Sequence, residues 1–157
     1  MKFLFLGVLL IIPVLVIYAS GSSEREIYIK KGNLALEGYD PVAYFESNKA
    51  EKGSSEWKTV YKGAEWYFSS KINLNLFVSN PEKYAPAYGG YCAWAMNGGK
   101  LAPGKPKYWD IIENKLYLNY SKSTRKKFLA DIDSMIRNAD SKWQEIEKKL
   151  SEAEQNK

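Results

Sequence analysis

Apolar and polar positions alternate along the chain in a few short patterns, each pointing to one element. Ile27-Tyr28-Ile29 and Leu34-Ala35-Leu36 flank Lys31-Gly32-Asn33, a pattern that predicts a hairpin. Trp57 to Tyr61, Lys62-Gly63-Ala64 and Glu65 to Phe68 predict a second, with Trp66 and Phe68 on one face by the two-residue period. Trp109 to Ile112, Glu113-Asn114-Lys115 and Leu116 to Tyr120 predict a third. Between them, Pro41 opens one helical turn over Val42 to Phe45. A helix over Lys71 to Val78 is capped by Ser69 or Ser70, carries Ile72, Leu74, Leu76 and Phe77 at helical spacing, and ends at Asn80-Pro81. Tyr91 to Met96 predicts a short helix closed by Gly98-Gly99. From Ser123 the apolar positions Phe128, Ile132, Met135, Ile136, Ala139, Trp143, Ile146 and Leu150 turn helical, with a break near Asp131 to Ser134. The expected fold is α+β: a small antiparallel sheet of hairpins packed with short helices and a C-terminal helical segment.

The N-terminus reads differently. Met1-Lys2 precedes an apolar run from Phe3 to Ala19, and no charge follows until Glu24. This is the layout of a targeting segment, and Ala19-Ser20-Gly21 offers a cleavage triplet. The run is short for a membrane span, which needs about 20 apolar residues. Residues 1–21 are therefore expected to be a signal peptide or a membrane anchor, and 22–157 one domain. The expected location is periplasmic or secreted, or anchored to the membrane by residues 3–19. Membrane contact is expected only through that segment.

Composition narrows the chemistry. Without Lys2, 22 basic residues face 18 acidic ones, with no run of five like charges. Nothing reads as a nucleic-acid stripe. The stretch from Ser121 onward holds nine basic and seven acidic residues, as a solvated helix face would. The chain has no histidine, which removes Ser-His-Asp and Cys-His catalysis and His-based zinc, copper or haem sites. Cys92 is the single cysteine, so no internal disulfide or thiolate cluster can form. Together with 12 Tyr and 5 Trp, these absences favour a Tyr- and Trp-rich core over an active centre.

Four phrases in order resemble the YHS domain family, in particular its secreted or envelope bacterial members. They are Gly38-Tyr39-Asp40-Pro41-Val42-Ala43-Tyr44-Phe45, Trp66-Tyr67-Phe68-Ser69-Ser70, Asn80-Pro81-Glu82-Lys83-Tyr84-Ala85-Pro86, and Tyr88-Gly89-Gly90-Tyr91-Cys92-Ala93-Trp94. With the tail from Asp131 to Trp143, the resemblance spans roughly residues 30 to 145. It implies a small α+β fold. For relatives that accompany copper-transporting ATPases it also implies metal binding through cysteines. Those relatives carry Cys after Asp-Pro-Val and in Tyr-Phe-Cys-Ser-x-x-Cys, where this chain has Ala43, Ser69 and Asn73. A methyl, a hydroxyl and an amide are poor ligands for soft metals.

The candidate ligand-binding residues are Asp40, Tyr44, Tyr88, Tyr91 and Cys92, expected around a concave pocket. Asp40 is equally readable as a turn or helix cap. Cys92 follows two glycines at a helix start, where a thiol pKa falls, but it reads first as a buried small hydrophobe beside Ala93 and Trp94. Cys92 and Met96 are four apart, so a helix would place both sulfurs on one face as an alternative copper(I) pair. A thiol-dependent enzyme is disfavoured without a base for Cys92. The expectation is a non-catalytic envelope binding or accessory protein, linked to metal or redox handling by resemblance. Its partner is a small ligand or an envelope protein, with no zinc or haem site and copper(I) left open.

Overall fold

The computed structural model describes residues 26–155, so the targeting segment expected at residues 1–21 lies outside the described residues. Among the described residues four strands form two antiparallel hairpins rather than one sheet: β1 (Ser54–Tyr61) with β2 (Ala64–Phe68), and β3 (Lys105–Ile112) with β4 (Lys115–Asn119). The helices are α1 (Pro41–Glu46), α2 (Lys71–Ser79), α3 (Pro81–Tyr84), α4 (Ala93–Met96), α5 (Lys122–Ala130) and α6 (Ile132–Gln155). The architecture is α+β, as the pattern predicts.

Both predicted hairpins form, each with a two-residue turn, one residue shorter than the expected turn segments because Ala64 and Lys115 already belong to β2 and β4. Lys62-Gly63 and Glu113-Asn114 have positive φ at both positions, the requirement of a type I′ turn, whose twist matches that of the strands. The first predicted hairpin does not form as one. Ile29 and Ala35 make a single antiparallel bridge, and Leu34 pairs in parallel with Glu65. The chain then enters a 3₁₀ turn over Leu36–Gly38, with Leu36 and Glu37 at φ 50° and 51°. Left-handed backbone ends extended pairing, so this segment becomes a short edge contact on β2.

Helix ends follow their caps. Ser70 accepts from Asn73 N–H at the start of α2, and Asn80 ends α2 while capping α3. Ser121 and Thr124 form a reciprocal capping box at α5. The break between α5 and α6 falls at Asp131. Arg125 clamps α5 to β3 by donating from Nε and Nη2 to the Asp110 carboxylate at 2.7 and 2.6 Å.

Two apolar clusters result. The first contains Val42, Tyr44, Trp66, Phe68, Phe77 and Tyr84; the second contains Tyr88, Tyr91, Met96, Phe128, Ala139 and Trp143. Strand β4 is their seam: Leu116 and Leu118 enter the first cluster, and Tyr117 between them enters the second. Both faces of this strand are buried, so the two-residue period divides its side chains between two cores. No helix among the described residues is long and apolar enough to cross a membrane.

Candidate functional site

The five candidate residues divide between the two clusters. Asp40 and Tyr44 belong with the first, and Tyr88 and Tyr91 with the second. Cys92 sits at the seam, where it pairs in parallel with Leu118.

Asp40 is fully buried yet charged by type, and its partners explain how. Its Oδ1 accepts from the backbone N–H of Val42 at 2.8 Å and of Ala43 at 3.3 Å, capping α1. Its Oδ2 accepts from Ser69 N–H and Ser69 Oγ–H, both at 2.8 Å, and from Asn73 Nδ2 at 2.7 Å. Asn73 Nδ2 also reaches Ser69 Oγ at 3.2 Å. Five donors thus meet a carboxylate with about four lone-pair sites, leaving none for a metal, a substrate or a proton in flight. The three positions where the resembling metal-binding sequences carry cysteine are therefore neighbours in space. The first turn of α1 delivers Ala43, and the β2–α2 junction and first turn of α2 deliver Ser69 and Asn73. Asp40 joins all three.

Tyr44 is fully buried and donates from its hydroxyl to Pro106 O at 2.9 Å. Burial pushes its pKa well above the ordinary tyrosine value, and the charges of Tyr39 and Asp40 add to the rise.

Cys92 has no exposed surface. It is the N-cap residue of α4, but its side chain makes no capping bond. Its Sγ accepts from Tyr120 N–H at 3.3 Å and donates to Asn119 Oδ1 at 3.7 Å. Asn119 is itself buried and accepts from Trp94 N–H at 3.2 Å; its Nδ2 has no partner. Met96 N–H donates to Cys92 O at 2.9 Å, which places the two residues one helical turn apart, and both are wholly buried. Among the described residues no group of three or more His, Cys, Asp or Glu side chains could hold a metal ion.

Tyr88 lines a cleft of about 250 Å³ between the β1–β2 turn, the segment from Glu82 in α3 to Gly89, and α6. Its hydroxyl donates to Asp140 Oδ1 at 2.8 Å, and its ring meets that of Trp143 with centroids 6.1 Å apart. Burial first, then the hydrogen bond to Asp140, raise its pKa far above the ordinary range. Tyr91 packs beside it, with ring centroids 6.2 Å from Trp143 and 5.4 Å from Tyr28. The Gly89 next to Tyr88 is required by close approach: a Cβ there would collide with Glu26 O.

Sequence reasoning found Asp40 and its capping role, and placed Trp143 as helix packing. It missed Asp140, Asn119 and the cleft wall at Tyr61. These partners lie 52 and 27 residues from Tyr88 and Cys92, and no local pattern announces them.

Residues 42–88 match the family model of the YHS domain. The stretch from Val42 in α1 to Tyr88 is thus similar to the YHS domain, and the match takes in Ala43, Ser69 and Asn73. No curated protein and no solved structure matches the chain.

Proposed function

We propose that this YHS-domain chain is a non-catalytic binding or accessory module of the cell envelope, in which a hydrogen-bonded carboxylate occupies the place of a thiolate metal site. The observation that carries the reading is the convergence of Ala43, Ser69 and Asn73 on Asp40. The donor set is wrong for copper(I) or zinc, because a methyl cannot ligate, and the hydroxyl and amide are neutral, hard and already engaged. The same saturation keeps Asp40 from serving as a general base. With no histidine in the chain and the only thiol buried, no nucleophile-and-base pair is supported. The apolar run from Phe3 to Ala19 supports the location.

One competing reading rests on Cys92 and Met96, which share a helical turn in the interior. A thiolate and a thioether suit copper(I). Cys92 Sγ already accepts a backbone N–H, however, and the pair would have to open before an ion could enter.

One preparation tests both. A tagged chain is fractionated in its own cell, purified from the envelope fraction, dialysed, and measured for metals by mass spectrometry. The expected result is recovery outside the cytoplasm with no stoichiometric zinc or copper. A variant combining Ala43→Cys, Ser69→Cys and Asn73→Cys is expected to gain one tightly held soft metal ion. Stoichiometric metal lost on Ser69→Ala with Asn73→Ala would overturn the carboxylate reading; copper lost on Cys92→Ser would establish the competing one. Full-length chain in the soluble cytoplasm would contradict the location.

A further inference from the structure

We propose that the cleft beside Tyr88 receives a small organic cation. This deepens the reading of the chain as a binding module by naming the ligand class, and it uses no part of the Asp40 node.

The first ground is charge. The cleft is lined by Glu26, Glu82, Asp140 and Glu147 against Lys62 and Lys115. Glu26 and Lys62 form an ion pair with each other. Three carboxylates then face one ammonium, on a chain whose net charge is +5. The local sign is opposite to that of the whole molecule, so the cleft attracts cations that the remaining surface repels.

The second ground is the free acceptors. Glu82 and Glu147 are in no ion pair among the described residues, and Asp140 spends Oδ1 on Tyr88 while Oδ2 takes no hydrogen bond. The hydroxyl of Tyr88 holds the Asp140 carboxylate in place, so the free oxygen is presented by a fixed group.

The third ground is the walls. Tyr61, Tyr88 and Trp143 line the same cleft. Tyr88 and Trp143 are nearly buried and meet edge to face, an arrangement set by core packing and present without a ligand. Aromatic faces attract organic cations through their quadrupole and cover the apolar part of the ligand. A bare metal ion would use only the carboxylates, and a neutral apolar ligand only the rings. The combination selects an ammonium group on a short carbon body. The volume, about 250 Å³, lies just under the roughly 300–1,000 Å³ of drug-sized sites, which suits a small metabolite.

The test uses the full chain with choline and n-butylammonium as probes, and 3,3-dimethylbutan-1-ol as the uncharged shape match for choline. Binding is followed by calorimetry and by the Trp143 indole resonance, assigned with a Trp143→Phe variant. Both cations are expected to bind saturably, at least tenfold tighter than the alcohol. Glu82→Gln with Glu147→Gln, which breaks no ion pair among the described residues, should weaken the cations at least fivefold and leave the alcohol unchanged. Asp140→Asn keeps the acceptor for Tyr88 and should weaken the cations alone. Equal binding of the alcohol, cation binding unaffected by the double variant, or no saturable binding of either cation would overturn the proposal. None of these outcomes alters the metal content that tests the Asp40 node, so the two readings fail separately.

Discussion

Asp40 shows how one side chain can tie two elements together: its carboxylate joins the α1 N-terminus to the β2–α2 junction with five hydrogen bonds. Asp40→Ala should therefore remove a helix cap, worth about 1 kcal/mol. It would also leave the half-buried Ser69 N–H and Asn73 amide without their acceptor, at about 1 kcal/mol each, the low end of the cost for a buried group. The expected total is about 3 kcal/mol, read as a shift of the urea midpoint. Asp40→Asn should cost less, since its Oδ1 still caps α1 while its amide cannot accept from Ser69 or Asn73. Equal stability of the alanine variant and the parent would show that the node carries no such load. Half of this was legible in the sequence: Asp before Pro announces an N-cap. The other half was not, because Ser69 and Asn73 read locally as an N-cap candidate and a helix residue. Only the packing of α1 against α2 brings them to Oδ2.

Elements with a local signal were readable, and those without one were not. The β1–β2 and β3–β4 hairpins declare themselves through two-residue turns between alternating strands. The segment Ile27 to Leu36 carries the same alternation but makes only one bridge within itself and one to β2, so its pairing was decided by tertiary context. The β3–β4 turn is also chemically imperfect. Glu113 and Asn114 adopt φ 49° and 59°, and a Glu there carries the left-handed strain that glycine avoids. Glu113→Asn with Asn114→Gly gives the preferred pair for this turn. It should stabilise the protein by roughly 1 kcal/mol and raise the thermal midpoint by several degrees. Gly63→Ala in the other hairpin, at φ 70°, should shift it the opposite way. A drop on the Asn-Gly substitution would mean that Glu113 makes a contact that outweighs its strain.

At the scale of the whole molecule, the aromatic excess was visible from composition, but its division between two cores was not. That division depends on β4 being covered on both faces, and on pairs such as Tyr44 with Pro106 and Tyr88 with Asp140 that join distant parts of the chain. The same tyrosines set the response to alkali. Burial raises the pKa of Tyr44 and of Tyr88 far above the ordinary tyrosine value, and pushes Tyr117 up to about 12. In the unfolded chain all three titrate near pH 10. The neutral hydroxyl is the form the fold accepts, so the folded pKa exceeds the unfolded one. The stability these groups contribute is intact below about pH 10, and it is lost as pH rises through 10 toward the folded values. Each has lost on the order of 1 kcal/mol by pH 11, so the three together cost a few kcal/mol. That is a large part of the roughly 5–15 kcal/mol that holds a domain together. The urea midpoint should stay level from pH 7 to 9 and fall steeply between 10 and 11. Tyrosinate absorbance at 295 nm should show an early phase from exposed rings, then a late cooperative phase that coincides with loss of the near-ultraviolet circular dichroism. A level midpoint through pH 11, with all 12 tyrosines ionising while the fold persists, would show that these rings reach water more freely than their packing implies.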